Sequence, residues 1–293
     1  MRILIVALTV LLAGCGGSPT SPSPTLRPIP SPAPAPTPAP TPAPAPAPLT
    51  FTGTVTDTVT GAPVAGYSAI LVGSRVTVSA PGYLTRETQN GPRVDLIRDA
   101  APFDLAFYRQ LARNAINAPS NLEGLRVLQQ APSVYLQTAG LSAATVRAFD
   151  DAIRNTVYEM SGRSFGVVAL EHGDTARAPS NGWIVVELVN DDLACGRALV
   201  GSAAGHVWLN TAARCPVTQY GAAALAHEVG HALGFFHVSD PNALMFYFST
   251  VTMPSDRERY HAAIAYKRPV GNRDVDVDAP SAAGLSAPRI VID

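Results

Sequence analysis

The stretch His227-Glu228-Val229-Gly230-His231-Ala232-Leu233-Gly234-Phe235-Phe236-His237 constrains this chain more than any other part of it. Residues four apart on a helix face the same way, so His227 and His231 can present two imidazoles to one metal ion. Gly234 can take the left-handed conformation that ends such a helix and turns the chain back, and His237 then comes within reach as a third ligand. Three protein ligands and a fourth position left to water describe a catalytic zinc site, whereas a structural zinc is closed by four. Glu228 sits beside the first ligand, where a carboxylate can take a proton from that water. The competing reading is a buried helix with hydrogen-bonded histidines, since a bare His-Glu-x-x-His recurs by chance. The added glycine and third histidine make the pattern far more specific.

After His237 a polar turn, Ser239-Asp240-Pro241-Asn242, leads through Ala243 and Leu244 to Met245. Taken alone, a methionine is ordinary core filler. Together these motifs resemble the metzincin superfamily of zinc metalloendopeptidases, whose Met-turn forms an apolar floor beneath three imidazoles. The resemblance implies an α+β fold: a metzincin catalytic domain with a twisted mixed sheet, an active-site helix and a Met-turn at Met245. It implies Zn2+ as cofactor, His227, His231 and His237 as ligands, and Glu228 as general base. Tyr247 stands where astacins and serralysins carry a zinc-ligating tyrosine, although Phe246 and Phe248 beside it fit plain aromatic packing equally. In metzincins the substrate polypeptide lies along an edge strand. Ala198 to Ala203, with Leu199, Val200, Gly201 and Ser202 at its centre, is the candidate edge, because its small residues let another backbone approach.

The subfamily stays open. Val238 follows the third histidine, where astacins carry Glu and matrixins usually Ser, and the matrixin strand motif for a structural zinc is lacking. Cys195 and Cys215, around Gly196-Arg197 and a following strand, resemble the astacin arrangement.

The amino terminus reads as an export signal over residues 1–14. Arg2 supplies the positive region, Ile3 to Leu12 an apolar run too short to span a bilayer, and Leu12-Ala13-Gly14-Cys15 resembles a bacterial lipobox. A lipidated Cys15 would hold the protein at a membrane surface without a spanning helix. Gly16 rather than Asp follows it, which under the enterobacterial sorting rule points to the outer membrane or cell surface. An ordinary signal with a nearby cysteine is the alternative. Of three cysteines, Cys195 and Cys215 then remain as an even pair in an oxidising compartment, where a disulfide is expected.

Residues 15–48 form a proline-rich tether. Ser18 to Pro48 holds 14 of the chain's 27 prolines and almost no charge, so it cannot bury a core and favours extended polyproline II. At about 3.1 Å per residue it reaches on the order of 90 Å. A ligand for a proline-binding module is the other use of such a tract.

Residues 49–106 read as a small β module. Arg75-Val76-Thr77-Val78 alternates polar and apolar, and turn signals recur at Thr60-Gly61, Gly73-Ser74 and Pro81-Gly82. The segments from Gly53 to Val64 and from Val76 to Tyr83 resemble the carboxypeptidase regulatory-like domain, which implies a small β-sandwich preceding the catalytic part. Its role is a spacer or a binding module for a surface polymer or protein.

Residues 107–275 alternate α and β. Val134 to Leu136 is a short strand, and Ser142 can cap a helix with Val146, Phe149, Ile153, Val157 and Met160 on one side, stopped at Gly162. Phe165 to Leu170, Trp183 to Val189, Ala198 to Ala203 and His206 to Asn210 are strand-like, and the histidine helix starts near Thr218. Ser255-Asp256-Arg257-Glu258 is a capping box opening a helix that ends before Pro269. Residues 276–293 read as a tail, with Asp274, Asp276 and Asp278 a solvated run rather than a calcium loop. His172, His206 and His261 read as surface or packing residues.

With a net charge of −1 and no basic stripe, the chain offers no electrostatic footprint for nucleic acid or an anionic membrane. The expected partners are a protein or peptide substrate, and the membrane through the lipid anchor only. The reading is a zinc-dependent endopeptidase of extended polypeptide at the bacterial surface or periplasm. A catalytically inactive adhesion or binding lipoprotein on the same fold, and a zinc hydrolase of non-peptide amides, remain open beside it.

Overall fold

Alternating valines build the first part of the described chain, which comprises residues 50–280 and 289–293 of the computed structural model. β1 (Thr54–Asp57) pairs in parallel with β5 (Arg93–Leu96), while β2 (Ser68–Val72), β3 (Arg75–Ser79) and β4 (Arg86–Gln89) form an antiparallel sheet. The two-residue period turns Val76 and Val78 inward, where they meet Val55, Val64, Val94 and Leu96 in a small separate core. The β2–β3 turn falls at Gly73-Ser74, and another falls at Pro81-Gly82. The expectations for the export signal, Cys15 and the proline tract lie outside the described residues.

α1 (Leu105–Arg113) opens the larger part, its first turn capped by the Asp104 carboxylate, which accepts from the Ala106 and Phe107 N–H groups. Phe107, Tyr108, Leu111 and Ala112 form its buried face. This helix straddles the boundary expected at 106/107. There follow β6 (Ser133–Gln137), α2 (Ala143–Met160), β7 (Leu170–Gly173), β8 (Trp183–Val189), β9 (Gly196–Leu199), β10 (Ala204–Asn210), α3 (Gly221–Ala232), α4 (Asp256–Ala265) and β11 (Val291–Ile292). The architecture is α+β, with mixed sheets and four helices among the described residues.

Six strands lie in the order β11-β9-β10-β8-β6-β7. β10, β8, β6 and β7 run parallel to one another, and β9 runs antiparallel to both of its neighbours, β10 and β11. Ser142 caps α2, whose Phe149, Ile153, Val157 and Met160 are buried in the main core, the helix packing on α3 and α4. α3 is apolar all round and buried along nearly its whole length, as a helix running through the core must be. Among the described residues no helix is long and apolar enough to cross a membrane.

Two expectations are corrected here. The segment expected as a tail from 276 is part of the fold. The Glu87 N–H donates to the Asp276 carbonyl and the Asp278 N–H to the Glu87 carbonyl, so residues 276–278 run alongside β4. Asp276 and Asp278 are buried, not solvated, because Arg268, Arg86, Asn272 and Thr88 bind their carboxylates. Second, of the four residues placed at a free edge, only Leu199 lies in a strand. Val200, Gly201 and Ser202 form the turn after β9, and the edge of β9 is covered by β11.

Candidate metal centre

Alanines at Ala222, Ala223, Ala224, Ala226 and Ala232 favour α3 and let it pass close to its neighbours. His227 and His231 project from one face, with ring centroids 4.6 Å apart. The helix ends in a Schellman turn. The Gly234 N–H donates to the His231 carbonyl and the Phe235 N–H to the Gly230 carbonyl. Gly234 has φ +110°, and a Cβ on it would stand 2.7 Å from the Arg126 carbonyl, so both conformation and space demand glycine. The reversal carries His237 back beneath the helix end.

The three Nε2 atoms converge at 3.0, 3.2 and 3.2 Å from one another. All three histidines are buried. His227 Nδ1 lies 2.7 Å from the Leu244 carbonyl and His231 Nδ1 2.7 Å from the Phe235 carbonyl. A carbonyl only accepts, so each Nδ1 carries the proton and each Nε2 of a neutral ring turns its lone pair to the centre. Burial holds His227 and His237 down to about 4 and His231 well below its ordinary value, which keeps the rings neutral at pH 7. Lone pairs facing each other at this range repel unless a cation sits among them. Nitrogen ligands about 2.0–2.1 Å from one ion fit a triangle of this size. Three buried histidines can therefore hold a metal ion, and they are the one such group among the described residues.

A second layer fixes that triangle. Met245 is fully buried, and its Sδ fills the space a Cβ on Gly230 would take, at 2.4 Å from that position. The methionine thus lies against the helix between the two ligand turns. Glu258 of α4 accepts from the Leu244 N–H at 2.9 Å and the Met245 N–H at 2.7 Å, and the Leu244 carbonyl accepts from His227. One carboxylate thereby positions both Met245 and His227.

Glu228 is 4% exposed, and its Oε2 has no hydrogen-bond partner. Burial raises its carboxyl well above the ordinary range, Asp293 adds to this, and Arg197 opposes it. Gly196 of β9 leaves the space in which the Glu228 carboxylate lies, since a Cβ there would meet Oε1 at 2.3 Å. His227 and Glu228 open on a cleft of about 380 Å³, walled on one side by Cys195 and Cys215 and on another by Tyr247 to Thr250. Cys195 and Cys215 are joined in a disulfide that closes the loop from β9 to the approach of α3. Tyr247 is half-exposed, with its ring centroid 4.9 Å from that of His237.

The structure thus brings together His227, His231, His237, Glu228, Met245 and Tyr247 around one centre, with the disulfide in the cleft wall. His172 pairs with Asp150, His206 with Glu187, and His261 is buried against the Asp104 N–H and the Arg257 carbonyl, all apart from the cluster. Three participants escaped the sequence. Asn117 places its side-chain amide 3.5 Å from His237 Nδ1, Asp293 borders the cleft, and Glu258 reaches beyond its own helix cap. Only Glu258 left a trace, as the acidic member of the capping box. No model of a known protein family matches the chain, and a search of curated proteins finds no similar sequence.

Proposed function

We propose that this protein is a zinc-dependent endopeptidase of the metzincin type, acting on extended polypeptide. The observation that carries the reading is the convergence of three neutral, buried imidazoles beside an unpartnered buried carboxylate that faces a cleft. Imidazole ligands suit zinc among the common divalent ions, and three of them leave a position open. When bound there, zinc supplies a Lewis acid that activates water and polarises a peptide carbonyl. His227, His231 and His237 would hold it through Nε2, with Leu244 and Phe235 fixing the ring orientations of His227 and His231. Glu228 accepts a proton from the attacking water on its carboxylate and hands it to the leaving amine nitrogen. Its burial excludes bulk water from that exchange. Tyr247 lines the cleft and stands close enough to His237 to orient the carbonyl oxygen of the scissile bond.

Export to a bacterial surface by a lipidated Cys15 and a proline-rich tether belongs to the same proposal, as does a spacer role for the β module. Three converging imidazoles beside an unpartnered buried carboxylate favour the catalytic reading over the inactive-adhesin alternative. The test is casein turnover that a chelator abolishes and zinc restores. Glu228→Gln should keep stoichiometric zinc and lose most turnover, whereas His231→Ala should lose the zinc itself. Full turnover by the Glu228 variant would overturn the mechanism.

A further inference from the structure

The outer edge of β9 carries a tenant. Val291 pairs with Leu199 and Ile292 with Ala198 in antiparallel register, and the Val200 N–H donates to the Ile290 carbonyl at 2.9 Å. Ile292 is buried with Val200 and Phe236, and Ile290 packs on the same cluster. The alternation of a strand therefore seats two isoleucines in an apolar patch beside the His237 loop, with Arg289, Val291 and Asp293 turned away. The direction of the segment matters more. It passes Val200, then Leu199, then Ala198, and the same register carries it on toward Arg197 and Gly196, the residue against which the Glu228 carboxylate lies. Asp293 borders the cleft together with His227 and Glu228.

We infer that Arg289–Asp293 occupies the peptide-binding edge of the enzyme as a self-ligand, seated on the side that holds residues preceding the scissile bond, and that substrate is taken only when it leaves. This rests on the endopeptidase reading above. A peptide adding itself to the sheet needs the edge N–H and C=O groups of β9 that β11 already uses, and two strands cannot share one edge. The tenant also states the preference of the edge. Aliphatic, β-branched side chains two residues apart fill the Val200–Phe236 patch, so substrates with such residues on that side compete best. The binding-competent fraction of molecules scales the apparent affinity for substrate, so the contact lowers KM-limited turnover and leaves the chemistry itself intact.

The experiment compares the full chain with a form lacking residues 289–293 and with Ile292→Asp, which places a charge in the apolar patch and touches no residue of the metal centre. Zinc content and thermal midpoint are measured for each. On fluorescein-labelled casein, both variants should show KM lowered on the order of tenfold, with kcat little changed in Ile292→Asp, which keeps Asp293 at the cleft. A second readout does not depend on activity. Labelled peptide Arg-Ile-Val-Ile-Asp should bind the zinc-loaded Glu228→Gln protein lacking 289–293, and should not bind Glu228→Gln protein that retains them. Equal KM in all three forms, with no peptide binding by the shortened protein, would overturn the inference while leaving the endopeptidase reading intact. Peptide binding confined to the shortened protein, with no casein cleavage by any form, would keep the self-ligand and overturn the endopeptidase reading.

Discussion

At the scale of single residues, the site depends on what is missing as much as on what is present. Gly230 sits between His227 and His231 and has no side chain, so Met245 can bring its sulfur up against the helix. Gly230→Ala would place a methyl group 2.4 Å from Sδ inside a fully buried pocket. The thioether can swing, but the surrounding core is closed, so the change should cost about 1–3 kcal/mol of stability. On the proposed function it should also weaken zinc affinity, because the helix face carrying His227 and His231 is pushed off Met245. Shortening the methionine as well, in Gly230→Ala/Met245→Val, should recover part of both losses. Thermal unfolding and competitive zinc titration measure this, and a Gly230→Ala protein with unchanged zinc affinity would remove Met245 from its supporting role. The convergence of the three histidines was legible in sequence because it is local: spacing along one helix and one glycine-led reversal place all three imidazoles. The lone Oε2 of Glu228 and the approach of Asn117 were not, since each depends on residues brought in from elsewhere in the chain.

At the scale of elements, α4 is tied to the metal centre by its own cap. Ser255 accepts from the Glu258 N–H, and Glu258 accepts from the Ser255 N–H, which completes the capping box read from sequence. The same carboxylate also takes the Leu244 and Met245 N–H groups. That second use lies 13 and 14 residues back along the chain and has no sequence signature, because it exists only once the loop folds over the helix start. The two roles separate by mutation. Ser255→Ala removes a cap and should cost about 1 kcal/mol with zinc affinity unchanged. Glu258→Gln turns an amide donor toward buried donors and should cost about 3 kcal/mol while loosening zinc as well. Unchanged zinc affinity in Glu258→Gln would mean that the hold of α4 on the Met245 turn does not reach the histidines. The strands show the same division. Trp183–Val189 is strand over the span read from its β-formers, whereas the expected strand at Phe165 begins only at Leu170, where β6 offers a parallel partner.

At the scale of the whole molecule, the β module and the part that carries the three histidines share an electrostatic joint. Arg86 of β4 and Arg268 after α4 both bind Asp95 of β5, each at 2.5 Å. Arg268 continues to Asp276, Arg86 to Asp278, and Asn272 bridges those two carboxylates. Arg113 closes the cluster by donating to the Asn272 carbonyl and side-chain oxygen, so two guanidiniums pair with three carboxylates and a third holds the asparagine that bridges two of them. The run of aspartates looked solvated in sequence because its partners, Arg86 and Thr88, stand 192 and 190 residues away from Asp278. Such a joint makes the module part of the folded body and predicts a single unfolding transition. It also predicts an acid dependence. Burial alone would raise the Asp95 carboxyl, but Arg268, Arg86 and the Thr58 hydroxyl bring it down to about 2, from 3.8 in the unfolded chain. A depressed carboxyl contributes stability that is complete above its unfolded value and lost as pH falls through its folded one. The window is therefore about pH 4 down to pH 2, and the contribution at pH 7 is about 2 kcal/mol. Asp95→Asn should lower the thermal midpoint at pH 7, and its deficit against the parent protein should shrink steadily between pH 4 and pH 2. A deficit that stays constant across that range would show that the charge of Asp95 does not hold the two parts together, and unfolding in two steps at pH 7 would show that nothing else at this joint does.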